Sequence, residues 1–102
     1  LALLGEETMS LVEKNKIYEA LKKLNEWEFK KNAISRSFKF STYMDGINYV
    51  HSLACLAEEQ NHHPDISIGW CSVKVEFTSH DLGGVTENCI KMATLATNLF
   101  EE

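Results

Sequence analysis

Three of the four histidines fall where the chain changes character. His62-His63-Pro64 follows a stretch of helical periodicity, and His80 closes a stretch of alternating polarity. Imidazole titrates at about 6.5, so it gives and takes protons near neutral pH. Pro64 biases His63 away from the helical region, so the pair should leave the helix at set angles. Glu58 lies one helical turn before His62, and Thr78 and His80 are spaced to share one strand face. His51 sits inside a helical stretch and reads as a polar surface or interface residue. Three chemistries fit the set. Histidines near a helix end can bond its last carbonyls and favour its dipole. Three histidines with Glu58 or a thiol would suit zinc. Their spacing matches no compact zinc motif, and adjacent side chains diverge on an extended backbone, so no metal is expected. The third chemistry is general acid–base catalysis. No activated serine is present, and Cys71 falls mid-strand without an obvious base, which disfavours nucleophilic catalysis. Residue types and spacing alone stop at a proton-transfer or binding site built from histidines.

The elements that must position these residues follow from periodicity. Ser10 and Glu13 have capping-box spacing, and Ile17, Leu21 and Leu24 recur at helical intervals, predicting a helix over 10–24. Trp27 and Phe29, then Phe38 and Phe40, alternate with polar residues around Lys31-Asn32, predicting a hairpin of strands 27–30 and 33–40. Ser41 or Thr42 can cap a helix that runs to 60. This second helix carries two apolar patches: Tyr43, Ile47, Val50, Ala54 and Ala57 form one, and Tyr49, Leu53 and Leu56 another. The latter is expected to need a covering partner. Residues 66–79 read as extended, one strand or two, with Gly69 as the place where a break would fall. Gly83-Gly84 makes a turn, and Thr86 caps a last helix. The pattern is α+β, an antiparallel sheet covered by helices.

Composition bounds the function. The chain has 102 residues, 44% apolar and 25% charged, which predicts one globular domain over 1–102. Its formal charge of -5 argues against a nucleic-acid backbone or an anionic membrane surface as direct partner. The longest apolar run, 53–57, is too short to span a membrane, and the run at 1–4 is too short for a secretion-signal core. Cys55, Cys71 and Cys89 are odd in number and lack C-x-x-C spacing, so free thiols in a reducing compartment are expected.

Taken together, Ala57-Glu58-x-x-x-His62-His63-Pro64, Val73-x-Val75, Ser79-His80 and Gly83-Gly84-Val85-Thr86 strongly resemble the pterin-4a-carbinolamine dehydratase family. Its pattern is A-E-x-x-x-H-H-P, a strand ending in T-H, then G-G-L-T-x-x-D. The resemblance covers about 27–96. It implies an α-β-β-α-β-β-α fold, with a four-stranded antiparallel sheet and helices on one face. It also implies dehydration of 4a-hydroxytetrahydrobiopterin to quinonoid dihydrobiopterin, in tetrahydrobiopterin recycling, without metal or organic cofactor. By resemblance His62 and His80 carry the proton transfers, His63 holds the pterin, and Glu58 orients a histidine or bonds the ring. Asn61, Thr78, Ser79 and Asp81 line the pocket. A cytoplasmic setting is expected, with the nucleus as a further one, and the family implies a homo-oligomer (a tetramer or dimer) joined through the second helix. The alternative is a non-enzymatic interaction module on the same scaffold, a dimerisation cofactor for a transcription factor. Two positions depart from the pattern: Trp70 stands for a family Tyr, and Cys89 for the family Asp.

Overall fold

A computed structural model describes residues 10–102. The apolar run at 1–4 lies outside the described residues. The elements are α1 (Lys14–Leu21), β1 (Glu28–Lys30), β2 (Ala33–Lys39), α2 (Tyr43–Gln60), β3 (Asp65–Ile68), β4 (Ser72–Phe77) and α3 (Glu87–Glu101). This is the α-β-β-α-β-β-α order. The strands form an antiparallel sheet in the order β1-β2-β4-β3.

Local chemistry accounts for the strands. Lys31 and Asn32 both take left-handed backbone, with φ of 52° and 65°, the geometry that closes a two-residue hairpin between β1 and β2. Gly69 closes the second hairpin, its N–H donating to the Ser72 carbonyl at 2.7 Å. Ile34 and Phe38 of β2 and Val73, Val75 and Phe77 of β4 are all fully buried on the face the helices cover. Lys39 and Lys74 alternate to the other face and stay exposed. On α2, the Thr42 hydroxyl accepts the Asp45 N–H at 3.1 Å, as an N-cap should.

The register of the sheet decides what meets at its end. β3 runs antiparallel to β4, with Asp65 opposite Glu76 and Ile68 opposite Val73. The start of β3, which carries the two adjacent histidines just before it, therefore lies beside the end of β4.

Four expectations are corrected. The first helix starts at Lys14 with Glu13 as cap residue, whose side chain makes no capping bond, and it ends at Leu21. Leu11 and Val12 instead run extended against the chain before α3: Leu11 bridges Thr86, and the Val12 N–H donates to the Val85 carbonyl at 2.9 Å. Pairing there outweighs the local Ser10–Glu13 capping signal. Second, Tyr49 and Leu53 are not an outward patch. Leu53 is fully buried, and the Tyr49 hydroxyl donates to the Ala96 carbonyl at 2.8 Å while its ring packs on Phe38. The sheet and α3 cover that side of α2, and the more exposed apolar side chains are Tyr43 and Met44. Third, β4 ends at Phe77, so Thr78 and His80 belong to a turn and not to one strand face. Fourth, Thr86 is the cap residue of α3, but its side chain makes no capping bond to the helix backbone.

Candidate functional site

The arm that carries the adjacent histidines is set by how α2 ends. Asn61 takes left-handed backbone at φ 52°. The His62 N–H then reaches back to the Ala57 carbonyl at 3.1 Å, and the Asn61 N–H to that of Glu58 at 3.2 Å. These two bonds make a Schellman motif, which satisfies helix-end carbonyls and turns the chain sharply. Asn tolerates left-handed backbone better than most residues, which suits it to this place. Pro64 then carries the arm into β3.

The facing turn is held as firmly. The Ser79 N–H donates to the Gly84 carbonyl at 2.7 Å, and the Gly83 N–H to that of Ser79 at 2.8 Å. Gly83 has a φ of 72°, which glycine adopts without strain. The Ser79 hydroxyl accepts the Leu82 N–H at 3.1 Å. The Thr78 hydroxyl donates to the Asn32 carbonyl at 2.7 Å, which ties the turn to the first hairpin.

Between arm and turn lies a cavity of about 310 Å³, lined by Asn61, His62, His63, Thr78, Ser79, His80 and Asp81. That is at the small end for ligand pockets and fits one compact polar molecule. A larger cavity of about 530 Å³ lies elsewhere, walled by Lys39, Phe40, Tyr49 and Phe100 among others, and contains no histidine.

Each cavity histidine has its own partner. His63 Nε2 lies 2.6 Å from Glu58 Oε2, one turn back on α2. Glu58 thus meets His63 and does not line the cavity itself. His80 Nε2 lies 3.4 Å from Asp65 Oδ2. His62 is the more enclosed of the three: its ring lies nearly parallel to Phe77, with centroids 6.1 Å apart, and its Nε2 is 3.3 Å from Cys89 Sγ. Burial lowers its pKa below the ordinary histidine value, and the neighbouring His63 and His80 lower it further. His62 therefore stays neutral, and able to accept a proton, to lower pH than a free imidazole. Neutral bases and proton donors around a polar cavity can do acid–base work on a bound molecule. Among the described residues, no group of three or more His, Cys, Asp or Glu side chains is placed to hold a metal ion.

The residues singled out from sequence for this site converge, Glu58 as the partner of His63. Two contacts escaped sequence reasoning. Asp65 meets His80 because strand register brings the start of β3 to the turn after β4, and its position beside Pro64 was the one available hint. Cys89 reaches His62 from the first turn of α3, a contact that no local spacing encodes.

The sequence profile of the family described as Pterin 4 alpha carbinolamine dehydratase matches residues 10–99. A protein of Mycolicibacterium smegmatis, provisionally named a pterin-4-alpha-carbinolamine dehydratase, is 41% identical over 85 residues, 83% of this chain and 90% of its own. One from Mycobacterium tuberculosis with the same provisional name is 44% identical over the same shares. Among solved structures, a transcriptional coactivator/pterin dehydratase from Brucella melitensis superposes with a TM-score of 0.84 at 32% identity, covering 88% of this chain and 98% of that one. A pterin dehydratase-like protein described as a RuBisCO assembly factor in the alpha-carboxysome gives 0.60 at 25% identity, covering 72% and 86%.

Proposed function

This chain belongs to the pterin-4-alpha-carbinolamine dehydratase family, and on that footing we propose that it dehydrates 4a-hydroxytetrahydropterins by histidine acid–base catalysis. The observation that carries the reading is the gathering of His62, His63 and His80 on one small polar cavity. Loss of water from C4a breaks the C–O bond as the hydroxyl takes a proton. The N5 lone pair forms the C=N bond, and N5 gives up its proton. The net products are water and the quinonoid dihydropterin, so one acid and one base suffice. His62, held neutral, suits the base that takes the N5 proton. His80, oriented by Asp65, is then the acid for the departing hydroxyl. His63, braced by Glu58, binds the pterin with help from Asn61, Ser79 and Asp81. Thr78 serves the site through the turn it anchors, since its hydroxyl is already engaged.

The cell's use for the reaction is the recycling of tetrahydrobiopterin in a reducing, cytoplasmic setting. Three free cysteines suit that setting. Assembly into a homo-oligomer through α2 fits the exposed Tyr43 and Met44 at the start of that helix. The decisive experiment is turnover of a freshly generated 4a-hydroxytetrahydropterin by the purified protein, followed as quinonoid dihydropterin formation above the uncatalysed rate. A rate equal to buffer would remove the enzyme reading.

A second reading, a non-enzymatic interaction module, draws on the structural neighbours, one described as a coactivator and one as an assembly factor. A protein that binds pterin weakly and turns over nothing, yet keeps its fold, would favour it.

A further inference from the structure

Cys89 is the third residue of α3, and its side chain is fully buried. Two polar groups reach its sulfur: the Thr86 hydroxyl donates to Sγ at 3.5 Å, and His62 Nε2 lies 3.3 Å away. A threonine at a helix start ordinarily accepts a backbone N–H. Here its side chain makes no such bond and turns to the sulfur. The thiol therefore links the cap of α3 to an imidazole of the cavity. A neutral thiol can accept weakly, so the Nε2–H of a neutral ring can donate to the sulfur and leave the Nδ1 lone pair free to take a proton. A carboxylate at the same place only accepts, and would favour the imidazolium.

We propose that Cys89 is a positioning residue for His62: the buried thiol holds the Nε2 edge of the ring, leaves Nδ1 for the substrate, and as an uncharged partner sets the protonation state in which His62 meets it. The consequence for rate rests on the dehydratase reading above; the contact itself does not. The groups around His62 agree. His63 on its own arm and His80 on the turn oppose a positive charge there. Phe77 of β4 offers an apolar ring, and Thr86 and Cys89 of α3 offer neutral groups. Asp81 lines the same cavity, while Glu58 and Asp65 are turned to His63 and His80. The sulfur is not a nucleophile in this arrangement, because it has no exposed surface.

The test reads His62 directly, by nitrogen-detected NMR of the imidazoles across pH, in the whole protein and in Cys89→Ala, Cys89→Ser, Cys89→Asn and Cys89→Asp. In the unaltered protein His62 should show a single tautomer, with the proton on Nε2 and hydrogen-bonded to the sulfur. Cys89→Ala should release it to a mixture, and Cys89→Ser should retain it. Cys89→Asp should raise the His62 midpoint by about one to three pH units, as an opposite charge at this distance does. Cys89→Asn, of the same shape without the charge, should not. If the Asp variant fails to fold, the Ala and Ser tautomers decide. Folded variants in which both the tautomer and the midpoint of His62 match the unaltered protein would overturn the proposal. Activity separates the two readings. Turnover whose acid limb moves up with the midpoint in Cys89→Asp supports both, whereas a shifted midpoint in a protein without turnover keeps the positioning role and removes the dehydratase.

Discussion

His62 and His80 approach the cavity from different elements, and their roles should separate from that of His63. Replacing His62 or His80 by Ala should lower kcat by ~10²–10⁴-fold, the usual worth of a positioned acid or base. Steady-state kinetics at saturating pterin checks this, and near-normal rates in both variants would remove the assignment. His63→Ala should mainly raise KM, and Glu58→Gln should do the same more mildly, because its carboxylate braces His63 at 2.6 Å. Turnover should also survive exhaustive chelation, since the proton transfers need only imidazoles; loss of activity restored by zinc would contradict that. The three histidines were legible in the sequence because they sit at element ends; Asn61, Ser79 and Asp81 beside them came only from the family resemblance. The partners of His62 and His80 were not, because Cys89 and Asp65 arrive through strand register and the docking of α3, which no local pattern specifies.

At the scale of elements, the end of α2 carries the most weight for the site. Asn61→Gly should be neutral or slightly stabilising, whereas Asn61→Val should cost about 1–2 kcal/mol, because a β-branched residue resists left-handed backbone. Denaturant unfolding of both variants measures the difference. The first hairpin was readable from alternation and turn residues; the second was legible only as an extended stretch that Gly69 could break, because few residues in 66–71 alternate and the turn lacks a strong hairpin dipeptide. The start of the first helix was not legible, because extended pairing of Leu11 and Val12 with the chain before α3 competes with the local capping signal. The face of α2 was misread for a related reason: two apolar stripes were visible, but only packing decides which meets the sheet. Leu53→Glu should therefore abolish the fold, seen as loss of the circular dichroism signal, since it buries a charge where Leu53 has no exposure. Tyr43→Glu is the change that should dissociate an assembly, read by light scattering, while leaving the protomer folded.

For the whole molecule, the low proton affinity of His62 couples the site to stability. Its folded-state pKa lies below the ordinary value, so the unfolded chain binds that proton more readily. The contribution is fully present above about pH 6.5 and is lost as pH falls through the lower folded-state pKa. Stability curves taken between neutral and mildly acid pH should show this fall, and it should diminish in His62→Phe. The same packing also makes Cys89 a clock. Cys55 is exposed, Cys71 half-buried and Cys89 buried. A thiol reagent should therefore label Cys55 at once, and Cys89 only when the first turn of α3 lifts away from the histidine arm. In a protein whose other two cysteines are replaced by serine, the rate of that slow labelling would report the opening of the site itself, separately from global unfolding. Pterin bound in the cavity should slow it.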